Sequence, residues 1–174
     1  MRLVLLQLVC AAALLGSAPA RLRAQAIAAE PETRPEKPLF SDADAKTLET
    51  YRLDAGKLDR FEKAIRDLDA QAQRDEILKA ELDHDEAKLD GIDRFVNTIE
   101  TEKPKMAAIL KEAGLTAREF VLTSFSVTMA MVYADLLRAQ TTAFVPPFVP
   151  RANIAFVRNN EDRLTKLFES LNRE

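Results

Sequence analysis

His84 is the only histidine in the chain, and it stands within Asp83-His84-Asp85-Glu86. Carboxylates beside an imidazole can hold a hard cation or shuttle a proton. A calcium loop needs oxygen ligands at alternating positions and a glycine at the sixth, where the backbone turns sharply. Counted from Asp83, the fifth position is Ala87 and the sixth is Lys88, so that pattern fails. With one histidine and no cysteine after Cys10, the chain lacks the donors for structural zinc, haem attachment or a soft metal. The four residues read as a solvated acidic turn, and neither a metal nor a cofactor is expected.

Asp135 is the next residue that could do chemistry. Ser124, Thr128, Met131 and Asp135 share one helical face by spacing. A polar seam of that kind can line a ligand cavity or a water-filled channel. The simpler reading has Ser and Thr bonding back to their own helix carbonyls, with Asp135 paired to Arg138 or reaching solvent. A nucleophilic Ser or Thr also needs a base and an orienting group. The sequence places neither a histidine nor a lysine where it could serve.

A third segment, Phe144-Val145-Pro146-Pro147-Phe148-Val149-Pro150, carries no charge. Exposed, such an extended proline-rich strip binds a partner with little loss of entropy. Packed, its Phe and Val residues would close one end of a core and fix a sharp reversal. Phe144 and Phe148 are therefore the candidate partner contacts. Ser124, Thr128, Tyr133 and Asp135 are the candidate ligand contacts, with Phe125, Met129 and Val132 beside Tyr133 in a small-molecule cavity.

These residues have to be positioned by helices, because the periodicity after Phe40 is helical almost throughout. A weak helix is expected over Asp42 to Thr50. A stronger one follows Asp54, with Leu58, Phe61, Ile65, Leu68 and Ala72 on one stripe. Ile77 to Leu82 reads as a short helix, and Leu89, Ile92, Phe95, Val96 and Ile99 mark another. Pro104 suits a helix start, and Gly114 a left-handed stop near Ala113. Thr116-Ala117-Arg118-Glu119 has the form of a capping box. It opens a helix over about 117–139, whose residues Phe120 to Ala134 are uncharged on every side. Fifteen uncharged residues fall short of the roughly 20 needed to span a bilayer, so this helix is expected at the centre of a bundle. A final helix is expected from Arg151 to Leu171, with Ile154, Val157, Leu164, Phe168 and Leu171 inward.

The amino-terminal end reads differently. Arg2 precedes an apolar run from Leu3 to Gly16, and small residues come next in Ser17-Ala18-Pro19-Ala20. That order is the pattern of a secretory signal peptide over residues 1–20, with a second small-residue step at Ala24-Gln25-Ala26. Residues 21–40, rich in proline and alternating charge, read as a disordered leader, and 41–174 as one helical domain. Without residues 1–20 the chain has 24 basic and 28 acidic groups and no cysteine. An exported chain of that kind is held by packing alone, and its acidic balance gives no electrostatic reason to bind nucleic acid or anionic lipid. It is expected in the periplasm where the host has an outer membrane, and outside the cell otherwise.

Two stretches, Gly114-Leu115-Thr116-Ala117-Arg118-Glu119-Phe120-Val121-Leu122-Thr123 and Asn153-Ile154-Ala155-Phe156-Val157, together resemble a group of small exported all-helical bacterial proteins. That resemblance implies a fold and export, but no activity, substrate or site. Leu115-Thr116 also resembles the Leu-Thr-x-x-Gln motif of periplasmic helical chaperones. Glu119 stands where Gln would, and capping accounts for the residues.

The sequence thus leads to an all-α chain, a single bundle of five or six helices around the apolar helix at about 117–139. A binding or structural module of the cell envelope is expected, with another envelope protein or a small apolar ligand as partner and no stable membrane span. A carrier of apolar molecules and a hydrolase using a carboxylate pair are the alternatives.

Overall fold

Apolar residues three and four apart become helices throughout the computed structural model, which describes residues 40–83, 91–140 and 142–171. Among the described residues there are eight helices and no strand: α1 Asp42–Thr50, α2 Ala55–Ala72, α3 Glu76–Asp83, α4 Ile92–Glu102, α5 Pro104–Glu112, α6 Ala117–Ala139, α7 Arg151–Asn159 and α8 Glu161–Leu171. The described residues thus form an all-helical fold. The signal peptide, the leader as far as residue 39, and Leu89 and His84 with Asp85 and Glu86 lie outside the described residues.

Eight helices stand where five or six were expected. The one break not read from the periodicity falls at Asn160, inside the expected final helix. Its side-chain Nδ2 donates to the Phe156 carbonyl at 2.8 Å, and its N–H bonds the Val157 carbonyl at 3.0 Å. A short polar side chain that competes for backbone groups ends a helix in this way. The break re-phases the residues of α8, so Leu164 and Leu167 are buried while Phe168 is only half-buried. The folded body also begins earlier than expected. Phe40, assigned from sequence to the leader, is 7% exposed and belongs to the core.

Helix starts follow their caps. Asp54 accepts the Lys57 N–H at 2.8 Å, and Asp75 accepts those of Ile77 and Leu78 at 2.9 and 3.1 Å. Thr116 and Glu119 form the capping box of α6 in both directions. α5 starts on Pro104 and takes its side-chain cap from another helix. The Glu81 carboxylate on α3 accepts the N–H of Lys105 at 3.2 Å and of Met106 at 3.0 Å. An anion at that end also suits the helix dipole. α5 closes at Gly114 (φ +79°), where the Leu115 N–H reaches the Leu110 carbonyl at 2.9 Å and both leucines are buried.

The 23 residues of α6 make it about 35 Å long. By length and composition alone it is long and apolar enough to cross a membrane, so the fifteen uncharged residues understate it. Here α2, α4, α5 and α7 pack on it. Phe120, Val121, Leu122, Phe125, Val127 and Ala130 are buried along its first two thirds. The last third emerges, and Leu136 is exposed.

Candidate functional site

The aromatic residues near the middle of α6 form a row. The Phe125 ring meets Phe95 of α4 edge-on at 5.3 Å between centroids, and Phe40 at 5.1 Å. Phe40 in turn meets Phe148 at 5.6 Å. Edge-to-face pairs of this kind add to the area that each ring buries. The row ties the first described residue, α4, α6 and the proline-rich connection together.

A polar corner lies on another face of α6. The Tyr51 hydroxyl and the Thr123 hydroxyl are 2.8 Å apart, and Thr123 is fully buried. Burial pushes the Tyr51 phenol above its ordinary range, and the bond to Thr123 returns part of that shift. Asn153 of α7 is buried too. Its side chain accepts the Leu53 N–H and donates to the Tyr51 carbonyl, each at 3.0 Å. One amide therefore satisfies one backbone donor and one backbone acceptor of the turn between α1 and α2.

These contacts fix the direction of α7. Asn153 holds the backbone of Tyr51, whose hydroxyl meets Thr123, while Arg158 donates to the Ala134 carbonyl at 3.1 Å. α7 thus runs alongside α6 in the same sense. The connection between them must return from Gln140 to the level of Phe125, about 22 Å at the helical rise. It is a strut laid back along α6, and the sharp reversal into the following helix falls where the strut meets α7. Turns mark both ends, with the Ala143 N–H bonded to the Gln140 carbonyl at 3.1 Å and the Val149 N–H to that of Pro146 at 3.0 Å. Val149 is buried and Val145 and Phe148 pack against the core, whereas Phe144 is 79% exposed. The packing reading therefore describes Val145, Phe148 and Val149 and not Phe144.

The four residues of the expected seam differ in their surroundings. Thr128 is buried, Ser124 and Met131 are half-buried, and Asp135 lies in solvent with Arg138 at 3.4 Å. Arg138 lies closer to Glu161 of α8, at 2.8 Å. The back-bonding expected of the helix hydroxyls is not found at two of them: the buried Ser124 and Ser126 Oγ atoms meet no hydrogen-bonding partner among the described residues. Phe125 is covered by Phe40 and Phe95, and Met129 and Tyr133 pack half-buried against the core.

Carboxylates come together elsewhere. Asp75 pairs with Lys105, which holds its carboxyl below the usual carboxylate range. Glu81 caps the same helix end. Arg163 grips Glu62 through two nitrogens, at 2.7 and 3.0 Å, and Asp59 at 2.6 Å, tying α8 to α2. No group of three or more His, Cys, Asp or Glu side chains suited to a metal ion occurs among the described residues. Sequence reasoning missed Phe40, Tyr51, Glu81 and Asn153, whose partners lie far away in the chain. Compared with known proteins, the chain matches no family model, no curated protein and no solved structure.

Proposed function

We propose that this chain is exported, that its mature body is a helical bundle organised around α6, and that it serves as a binding or structural module of the cell envelope. The observation that carries the reading is Phe144. It stands 79% exposed on a strut whose neighbouring Val and Phe residues are packed. Leaving a large ring in water forgoes roughly 1.5–3 kcal/mol of burial. A surface held rigid by proline then loses little entropy on meeting a partner.

A photoreactive phenylalanine analogue at position 144, irradiated in the host envelope, tests this directly. Discrete adducts, to protein or to lipid, are expected at 144 and not at an equivalent probe replacing exposed Ile77. No adduct at 144 overturns the reading. Sequencing of the mature amino terminus, expected to start after Ala20 or Ala26, tests export separately.

A second reading, carriage of a small apolar ligand, draws on the Ser124 and Ser126 hydroxyls, which a polar group of such a ligand could satisfy. A rise in melting temperature with a small amphipathic ligand, abolished in Ser126→Ala, would favour it. The acids that gather at Asp75 and Glu81 are engaged with Lys105 and the start of α5, so nothing favours hydrolysis there.

A further inference from the structure

The return strut alternates in its exposure. Thr142, Phe144 and Pro147 face outward, while Val145, Phe148 and Val149 turn toward the protein. From Ala139 to Pro150 the sequence has no charged residue, and the charges that bracket it are both basic, Arg138 and Arg151. Arg138 has both Glu161 and Asp135 beside it, so the three groups together are net acidic and that end offers no cation to a lipid phosphate. Arg151 is exposed at the start of α7.

Two properties adapt this segment to an apolar–polar boundary rather than to another folded protein of no stated shape. The first is its backbone. Pro146, Pro147 and Pro150 have no N–H to desolvate, and Ala143 and Val149 spend theirs within turns. Those of Phe144, Val145 and Phe148 have no backbone partner among the described residues and keep the strut at the hydrated side of such a boundary. Entry into a medium that cannot hydrogen-bond is costly chiefly because of free backbone groups. The second is the order of chemistry along the chain: an exposed aromatic ring within an uncharged stretch, then a long cationic side chain. A ring of this kind sits at the acyl boundary while a guanidinium reaches phosphate. A second copy of the chain is a poorer fit, since both copies would bring the same arginines to the contact.

We infer that the Thr142–Arg151 strut is a shallow membrane-docking edge, with Phe144 as the wedge and Arg151 as the contact to lipid phosphate. The inference deepens the envelope-binding reading and rests on it. The chain's acidic balance opposes long-range steering to anionic lipid, so the contact is short-range and reversible.

The chain contains no tryptophan, so Phe144→Trp introduces a single fluorescent reporter at the wedge. With phosphatidylcholine/phosphatidylglycerol vesicles at low ionic strength, its emission is expected to shift to the blue. Partitioning by sedimentation is expected to fall roughly tenfold in Phe144→Ser, the loss of one inserted ring. Arg151→Gln is expected to remove the preference for phosphatidylglycerol over phosphatidylcholine alone, and Ile77→Ser to leave partitioning unchanged.

Emission unmoved by either vesicle overturns the inference, as does a loss in Ile77→Ser equal to that in Phe144→Ser. A blue shift produced by protein concentration alone overturns it in favour of self-association. Failure here, with protein adducts still found at position 144, leaves the envelope-binding reading standing. Circular dichroism of each variant confirms that it is folded, as expected for changes at exposed positions.

Discussion

The side-chain carbonyl of Asn153 accepts the backbone N–H of Leu53 across 100 residues of sequence, at 3.0 Å and out of contact with water. The same amide donates to the Tyr51 carbonyl. Truncation to alanine strands a buried donor and an acceptor together. Asn153→Ala is therefore expected to cost about 2–4 kcal/mol, measured by urea denaturation. A loss below about 0.5 kcal/mol would show that water replaces the amide at no cost.

Alkaline stability should report on Tyr51. Burial disfavours phenolate, so the folded state holds the proton more tightly than the unfolded chain does. The stability from this group is complete below the unfolded pKa of about 10 and is lost as pH rises through the higher folded value. Tyr51→Phe, compared with wild type between about pH 8 and 11, should lower stability at neutral pH and flatten the alkaline decline. An unchanged decline would assign it to the lysines.

At the acid end two helix caps act in the opposite direction. Lys57 holds the Asp54 carboxyl low, and Lys105 does the same for Asp75, each helped by backbone N–H groups. Their contribution is present above the unfolded pKa of about 3.9 and is lost as pH falls through the depressed folded values. Asp69 is raised by burial, so its protonation favours the fold and offsets part of that loss. The double variant Asp54→Asn, Asp75→Asn should show a shallower acid transition than wild type. An equally steep transition would place its origin in other carboxylates.

Two glycines should respond to alanine with opposite signs. Gly91 has φ +107°, and an added Cβ would lie 2.8 Å from Oδ2 of Asp44, whose Oδ1 accepts the Ile92 N–H. Strain and collision together should cost about 1–3 kcal/mol or more. Gly56 lies in the first turn of α2, where an added Cβ meets only side-chain atoms at 3.4 and 3.5 Å. Gly56→Ala should raise stability by about 0.4–1 kcal/mol through the unfolded chain. Thermal melts of both variants decide the matter, and equal signs would contradict the assigned geometry.

The features legible in the sequence and those hidden from it divide by range. The capping box at Thr116 and Glu119, the stop at Gly114 and the stripe from Leu58 to Ala72 are settled by residues within a few positions, and each stands as read. Glu81 reads locally as one more exposed acid, and its capping role needs α5 folded back against α3. Phe40 follows a proline-rich, charged stretch that disguises it as leader. Asn153 resembles any polar residue near a helix start until Leu53 is placed against it. Phe144 and Phe148 look equivalent in sequence, since only a folded strut tells the inward ring from the outward one.

The clasp on Leu53 also bears on the order of events as the polypeptide folds. Helices α2 to α6 can find one another through neighbouring turns, but the amide of the first corner stays with water until Asn153 is brought to it. A fragment ending in the proline strut therefore retains an unlatched front edge. Its closure is expected as the last and slowest step, governed by the separation of its two halves along the chain.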